Sequence, residues 1–256
     1  MSELHIHDLM AYDGLKIIQK DDVFKFSLDS LLLGSFVEVK QRSKNLLELG
    51  SGLGAVLLYL SLKTKIDLVG VDIQNEMVEL SNKSIELNNL SSQIKIYHHD
   101  LKSIQTLFSP SSFDLVVSNP PFFKVNELKM LNKEENLQIA RHEINVNFND
   151  IVNAAKKMLK TGGEFYFIHR ASRVEEIIKD LNKYNFVIKR MRFVYTKPGK
   201  EALMMLVEAK FGGSSGNIKI LEPLYIHDKS GNYTEEVLRI FHLGEDKYGK
   251  TSKLSK

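Results

Sequence analysis

Asn45-Leu46-Leu47-Glu48-Leu49-Gly50-Ser51-Gly52-Leu53-Gly54 carries a short apolar strand directly into three alternating glycines. Glycine lets a backbone turn sharply and approach a ligand that a Cβ would repel. The apolar run from Ala55 to Leu62 follows at helical length, so the stretch reads strand, glycine turn, helix. With Ala55 included, it also fits the loose dinucleotide spacing G-x-G-x-x-G/A. A second apolar strand, Ile66 to Val71, ends at Asp72, where an acid can hydrogen-bond ribose hydroxyls. Taken alone, this unit leaves two cofactors open, a nicotinamide dinucleotide and S-adenosylmethionine.

Outward from this unit the same alternation continues. Glu76 to Asn88 reads as a helix whose apolar surface includes Met77, Leu80, Ile85 and Leu87. Ile94 to Tyr97 and Phe113 to Val117 are strands three and four. Ile151, Ala154, Ala155, Met158 and Leu159 form a helical face stopped by Gly162-Gly163, and Phe165 to Ile168 is strand five. A helix at Val174 to Leu181 precedes two strands, Phe186 to Val194 and Ala202 to Ala209. Their connection is too short for a helical crossover, so this pair is antiparallel. The implied fold is α/β, a seven-stranded, mainly parallel sheet with an antiparallel terminal hairpin and helices on both faces. Three regions follow: residues 1–44, a core over 45–212, and an extension over 213–256. The extension follows a Gly212-Gly213-Ser214-Ser215-Gly216 hinge and includes a short helix at Thr234 to Phe241. Lys124 to Asn147 is polar and poorly periodic, which reads as a long loop over the site.

Composition narrows the setting. A chain of 256 residues with 43% hydrophobic content can bury one large core. Without cysteine there is neither a disulfide framework nor a thiolate metal site. Met1 to Gly14 lacks the pattern of a signal peptide, and no apolar run is long enough to span a bilayer, so a cytoplasmic protein is expected. The net charge of +3 is compatible with a nucleic-acid partner. Lys247, Lys250, Lys253 and Lys256 form either a solvated tail or an arm that contacts phosphates. His98-His99 and His5-x-His7-Asp8 read as surface histidines, and no metal is expected.

The second chemical signal is Asn119-Pro120-Pro121-Phe122, closing the fourth strand. A conjugated exocyclic amine must become more pyramidal before it can attack a methyl donor. Acceptors for both of its hydrogens favour that state: the Asn119 side-chain oxygen for one, the Pro120 carbonyl for the other. The prolines fix the local φ angles, and Phe122 offers a ring for stacking on a flat substrate, worth about 1–3 kcal/mol per base. No strong general base is needed, because the proton can leave after transfer; catalysis is mostly positioning for in-line displacement.

The combined pattern resembles the Rossmann-like methyltransferases. Glu48 matches the acid of their E/D-x-G-x-G-x-G motif, which approaches the methionine end of the cofactor. Asp100, in His99-Asp100-Leu101, matches the acid beside the adenine amine, although it would serve equally as a loop cap. Leu159-Lys160-Thr161-Gly162-Gly163 resembles the turn before their fifth strand. At the N-terminus, Leu15 to Gln19 and Phe24-Lys25-Phe26-Ser27-Leu28-Asp29-Ser30-Leu31-Leu32-Leu33 resemble the bacterial tRNA(Val) adenine-N6-methyltransferases, which modify the adenosine at position 37. Ala140-Arg141-His142-Glu143 and Gly231 to Glu236 look like the same family. Its members use S-adenosylmethionine and take tRNA as partner, and their N-terminal segment helps close the cofactor pocket.

The resemblance implies a cofactor site formed by Phe26, Asp29, Glu48, Gly50, Gly52, Gly54, Asp72, Asp100, Leu101 and Asn119. Asn119, Pro120, Pro121 and Phe122 would form the catalytic group. Arg141, His142, Arg192, Lys197 and Lys200 are candidates for RNA contact. Phe122 stands where many such enzymes carry Tyr. Release-factor glutamine methyltransferases and ribosomal-RNA guanine-N2 methyltransferases share the tetrad, so they stay open beside the adenine reading. A catalytically silent RNA-binding module is the non-enzyme alternative.

Overall fold

A computed structural model describes residues 4–9, 14–20, 27–120, 146–214 and 216–243. A hairpin of β1 (Leu4–Asp8) and β2 (Lys16–Lys20) comes first, followed by α1 (Leu28–Phe36). The strand–helix alternation then runs β3 (Asn45–Leu49), α2 (Ala55–Ser61), β4 (Asp67–Asp72), α3 (Asn75–Leu87) and β5 (Ile94–His98). A 3-10 turn at Leu101–Thr106 leads to β6 (Phe113–Ser118). After it come α4 (Phe148–Met158), β7 (Leu159–Arg170), α5 (Val174–Lys183), β8 (Phe186–Tyr195) and β9 (Ala202–Phe211). The described chain closes with β10 (Lys219–Ile220), β11 (Leu224–Tyr225) and α6 (Glu235–Phe241).

The main sheet has the order β5-β4-β3-β6-β7-β9-β8. β3 to β7 are parallel, and β9 is antiparallel to both β7 and β8. This is the architecture expected from the sequence, with one addition. β10 and β11, two residues each, both pair in parallel with β8 and extend that edge. Side chains alternate between two cores, as a pleated strand requires. Leu115 and Val117 of β6, with Tyr166 and Ile168 of β7, enter the core shared with α1, α2, α3 and α6. Val116, Phe165 and Phe167 enter the core under α4 and α5. The three β7 aromatics are fully buried, each contributing about 2 kcal/mol.

α1 is held unusually close to the body. A Cβ at Gly34 would lie 2.6 Å from Tyr59 Cδ1, so only glycine lets α1 approach α2 this closely. At the other side of that turn, Lys63 Nζ donates to the carbonyls of Gly34, Ser35 and Val37 at 2.7–2.8 Å. Those are carbonyls at the end of α1, where the helix supplies few partners of its own. The hairpin was not legible in the sequence. It docks on α3 through polar side chains: Asn88 bonds both the N–H and the carbonyl of Lys16, and Ser84 Oγ accepts from Ile18 N–H.

Two boundaries differ from expectation. Gly162-Gly163 does not stop a helix, because α4 ends at Met158 and β7 begins at once. Gly162 has φ +81°, and a Cβ on Gly163 would sit 3.0 Å from the Asp114 carbonyl. The pair bends one continuous strand past a register shift against β6. The expected loop over Lys124 to Asn147 lies almost wholly outside the described residues. Its last residue, Asn147, caps α4 in a reciprocal box with Asp150. In the C-terminal extension, Ile226, Val237 and Ile240 join the core beneath α1, and Tyr59 OH donates to the Ile240 carbonyl at 3.3 Å.

Candidate active site

Strand order reverses between β3 and β6, with β4 leading away on one side and β7 on the other. In a doubly wound sheet, that switch point opens a crevice at the carboxyl ends of the strands. The glycine loop and Asn119 both emerge there, and Ser118 Oγ ties the two strand ends together by donating to the Leu49 carbonyl at 2.8 Å. Ser118 is fully buried, directly after the apolar Leu115-Val116-Val117. A lone serine just before the tetrad is the sequence signal for this tie.

Gly50, Gly52 and Gly54 have φ of +72°, +51° and +76°, a region L side chains rarely enter. A Cβ on Gly50 or Gly52 would meet nothing within 4 Å, so both face open space in the crevice. Gly54 differs: its Cβ would lie 2.9 Å from Ile96 Cδ1, so it serves close packing of α2 against β5 and α3. Asp72 organises the loop from below. Its Oδ2 accepts from Gly52 N–H at 2.8 Å and its Oδ1 from Gln74 N–H at 2.9 Å. A carboxylate has further acceptor sites, so holding the loop is compatible with receiving ribose hydroxyls. Asp72→Ala is therefore expected to weaken cofactor binding by more than about 1.5 kcal/mol, the scale of a charged hydrogen bond. Calorimetric titration with S-adenosylmethionine checks this, and unchanged affinity would remove Asp72 from the site.

Glu48 is 1% exposed on the central strand, and its Oε2 has no hydrogen-bond partner. Burial, reinforced by the nearby Asp72 charge, pushes its carboxyl well above the usual range. An orphaned acid under a glycine loop fits a ligand that brings its own cationic donor, such as a methionine ammonium. Together with the open space over Gly50 and Gly52, it makes the residues present fit S-adenosylmethionine.

Asn119 leaves β6 toward α1. Its Nδ2 donates to Ser30 Oγ at 3.1 Å, while its Oδ1 is buried without a partner. Pro120 is buried beside it. Asp29, next to Ser30, accepts from Ser27 Oγ at 3.3 Å. Desolvation raises its pKa, opposed by the Ser27 hydrogen bond and the charge of Arg170 at the end of β7. Ser27 occupies the N-cap position of α1 without a side-chain cap bond. Asp100 caps the 3-10 turn, its Oδ1 accepting from Lys102 N–H at 2.9 Å. Leu101 is buried in the second core. Phe26, Pro121, Phe122, Arg141, His142 and the tail lysines lie outside the described residues.

The hairpin candidates for RNA contact divide. Arg192 is taken up structurally: its guanidinium is bidentate to Glu236 at 2.6 and 2.8 Å, and its Nε donates to the Glu222 carbonyl. That fork fastens α6 to β8, a partnership 44 residues apart that spacing could not disclose. Lys197 and Lys200 are exposed on the turn after β8. β8 runs parallel to β7, so this turn lies on the same sheet edge as Asn119. Among the described residues, no group of three or more His, Cys, Asp or Glu side chains could hold a metal. Nor is any described helix long and apolar enough to cross a membrane.

His169 is a titratable group buried at this edge. It is fully buried, accepts from Arg170 N–H at Nδ1 (2.8 Å), and packs edge-on against Phe148. Desolvation first, then Arg173, lowers its pKa to about 3. The native state therefore resists protonation while the unfolded chain accepts a proton near pH 6.5. Its contribution is complete above pH 6.5 and falls by about 1.4 kcal/mol per pH unit toward pH 3. Urea midpoints at pH 7 and pH 5 should converge in His169→Gln; an unchanged gap would exclude His169 as the group responsible.

Strand order and a glycine loop at the switch point together define a Rossmann-like methyltransferase. Residues 15–197 match the methyltransferase small domain model, and the chain belongs to that family. A protein of Agrobacterium tumefaciens described as a predicted O-methyltransferase shares the fold, with a TM-score of 0.66 and 22% identity, covering 84% of this chain and 95% of that one. Two curated relatives carry the name tRNA1(Val) (adenine(37)-N6)-methyltransferase. The one from Phocaeicola vulgatus is 28% identical over 216 residues, covering 84% of this chain and 88% of the relative. That from Pedobacter heparinus is 27% identical over 225 residues, covering 88% and 92%.

Proposed function

We propose that this protein transfers a methyl group from S-adenosylmethionine to the exocyclic N6 amine of an adenine in tRNA, with adenosine 37 of tRNA(Val) as its target. The observation that carries the reading is Asn119 Oδ1: a buried acceptor without a partner, just past the carboxyl end of β6 at the switch point. An unmade buried hydrogen bond costs about 1–3 kcal/mol, and a substrate N–H would recover it. The names of the relatives favour adenine over guanine or a glutamine amide, which the same acceptor pair would also suit.

Bound at the glycine loop, S-adenosylmethionine supplies an electrophilic methyl on a sulfonium. The chain's own groups do the rest. Gly50 and Gly52 admit close approach of the cofactor, Asp72 keeps their loop in place, and Glu48 receives a cationic donor. Asn119 Oδ1 and the Pro120 carbonyl accept the two amine hydrogens and hold the nitrogen lone pair toward the methyl group. The proton leaves after transfer, so no buried base is required. An adenine in a stacked loop must first be flipped out, at a few kcal/mol, and Lys197 and Lys200 offer phosphate contacts on the same edge.

A tRNA(Val) transcript with adenosine at position 37 should accept label from methyl-labelled S-adenosylmethionine, and its guanosine-37 counterpart should not. Equal labelling of both transcripts would overturn the positional assignment.

A further inference from the structure

We propose that Ser30 is a positioning residue for methyl transfer, anchoring the Asn119 amide to α1 by its Nδ2 and leaving Oδ1 for the reacting amine; this role rests on the assignment of Asn119 above. A side-chain amide is nearly symmetric in shape, and its two orientations differ in chemistry. With Oδ1 toward the substrate, Asn119 accepts an amine hydrogen. With Nδ2 there instead, two donors would meet and the amine would be repelled. A partner on the far side that bonds Nδ2 holds the amide in place with Oδ1 outward.

Ser30 is the group in place. Its Oγ lies 3.1 Å from Asn119 Nδ2 and takes the amide hydrogen, which leaves Oδ1 as the end without a protein partner. Ser30 is 7% exposed, so water is poorly placed to substitute for it. Its helix is also fixed: α1 is pressed against Tyr59 at Gly34 and tied at its far end by Lys63. A hydroxyl on a rigid helix can hold a bonded neighbour in place, whereas the same serine on a loose loop could not. The N-terminal segment thereby reaches the reacting group from 89 residues away in sequence, in addition to any role in closing the cofactor pocket.

Single-turnover transfer and calorimetric cofactor binding on the full chain test this role. Ser30→Ala should lower the transfer rate about tenfold, the effect of one lost hydrogen bond in the transition state. Affinity and stoichiometry for S-adenosylmethionine should stay within about twofold, which excludes a loss of folded protein. In the Asn119→Ala background, Ser30→Ala should have no further effect, because the group it orients is gone. Three results overturn the inference: a normal rate in Ser30→Ala, a loss of cofactor affinity matching the loss of rate, or full additivity with Asn119→Ala. Near-normal turnover in Asn119→Ala alone would instead remove the assignment of Asn119 itself, so the two failures are distinct.

Discussion

Asn119→Ala is expected to lower methyl transfer by about 10²–10³-fold, the cost of deleting one preorganised hydrogen-bonding group from a transition state. Cofactor binding should change by less than about threefold, since the Asn119 amide is bonded to α1 and the loop beneath the cofactor is held separately by Asp72. The split follows from geometry. Asn119 ends β6 and Gly50 follows β3, and Ser118 joins those strand ends without passing through the amide. Single-turnover rates with radiolabelled S-adenosylmethionine, read alongside calorimetry, give both numbers. A variant that still turns over within tenfold of the parent would show that the Asn119 oxygen does not hold the amine.

Glu48→Gln should act in opposite directions on stability and on binding. Burial, with the Asp72 charge beside it, raises the Glu48 carboxyl well above its usual range in the free protein, while the unfolded chain ionises it near pH 4.5. A folded-state pKa raised this way gives stability that is present below pH 4.5 and lost as pH rises through the folded value. At pH 7.5 the parent bears that penalty and glutamine does not. The free variant should therefore melt about 2–4 °C higher, as for a gain of about 1 kcal/mol in a chain of this size. Affinity for S-adenosylmethionine should fall about tenfold or more, because a charged hydrogen bond is lost. Melting curves with and without cofactor separate the two effects. A variant that binds as tightly as the parent would mean that Glu48 does not meet the cofactor.

What was legible in the sequence was whatever residue type alone declares. Three glycines after an apolar strand marked the loop, and their positive φ values give the reason. Asp72 was visible from its place at a strand end, and Asn119-Pro120 from its chemistry. The seven long strands followed from their apolar runs, which in β6, β7 and β9 alternate between two cores. What escaped depends on partners distant in the chain. Ser30 looks like an ordinary residue in a Leu-rich helix until Asn119 arrives beside it. Arg192 looks like an RNA contact until Glu236 takes its guanidinium. The β1–β2 hairpin has a mixed pattern, and it is held by Ser84 of α3 and by Asn88 at that helix's C-terminal cap. Gly162-Gly163 carried a turn signal that a strand absorbs as a bend, because register against β6 outweighs local preference. The glycine loop is thus explained by local chemistry, while the orientation of the catalytic amide is explained only by tertiary contact.

The most direct test of the central claim is to identify the methylated nucleoside. Purified protein is incubated with S-adenosylmethionine bearing a deuterated methyl group, in separate reactions with tRNA, ribosomal RNA and release factor, and each product is digested and read by mass spectrometry. The account predicts deuterated N6-methyladenosine in the tRNA digest. Label on guanosine N2, on a release-factor glutamine, or in none of the three would contradict it.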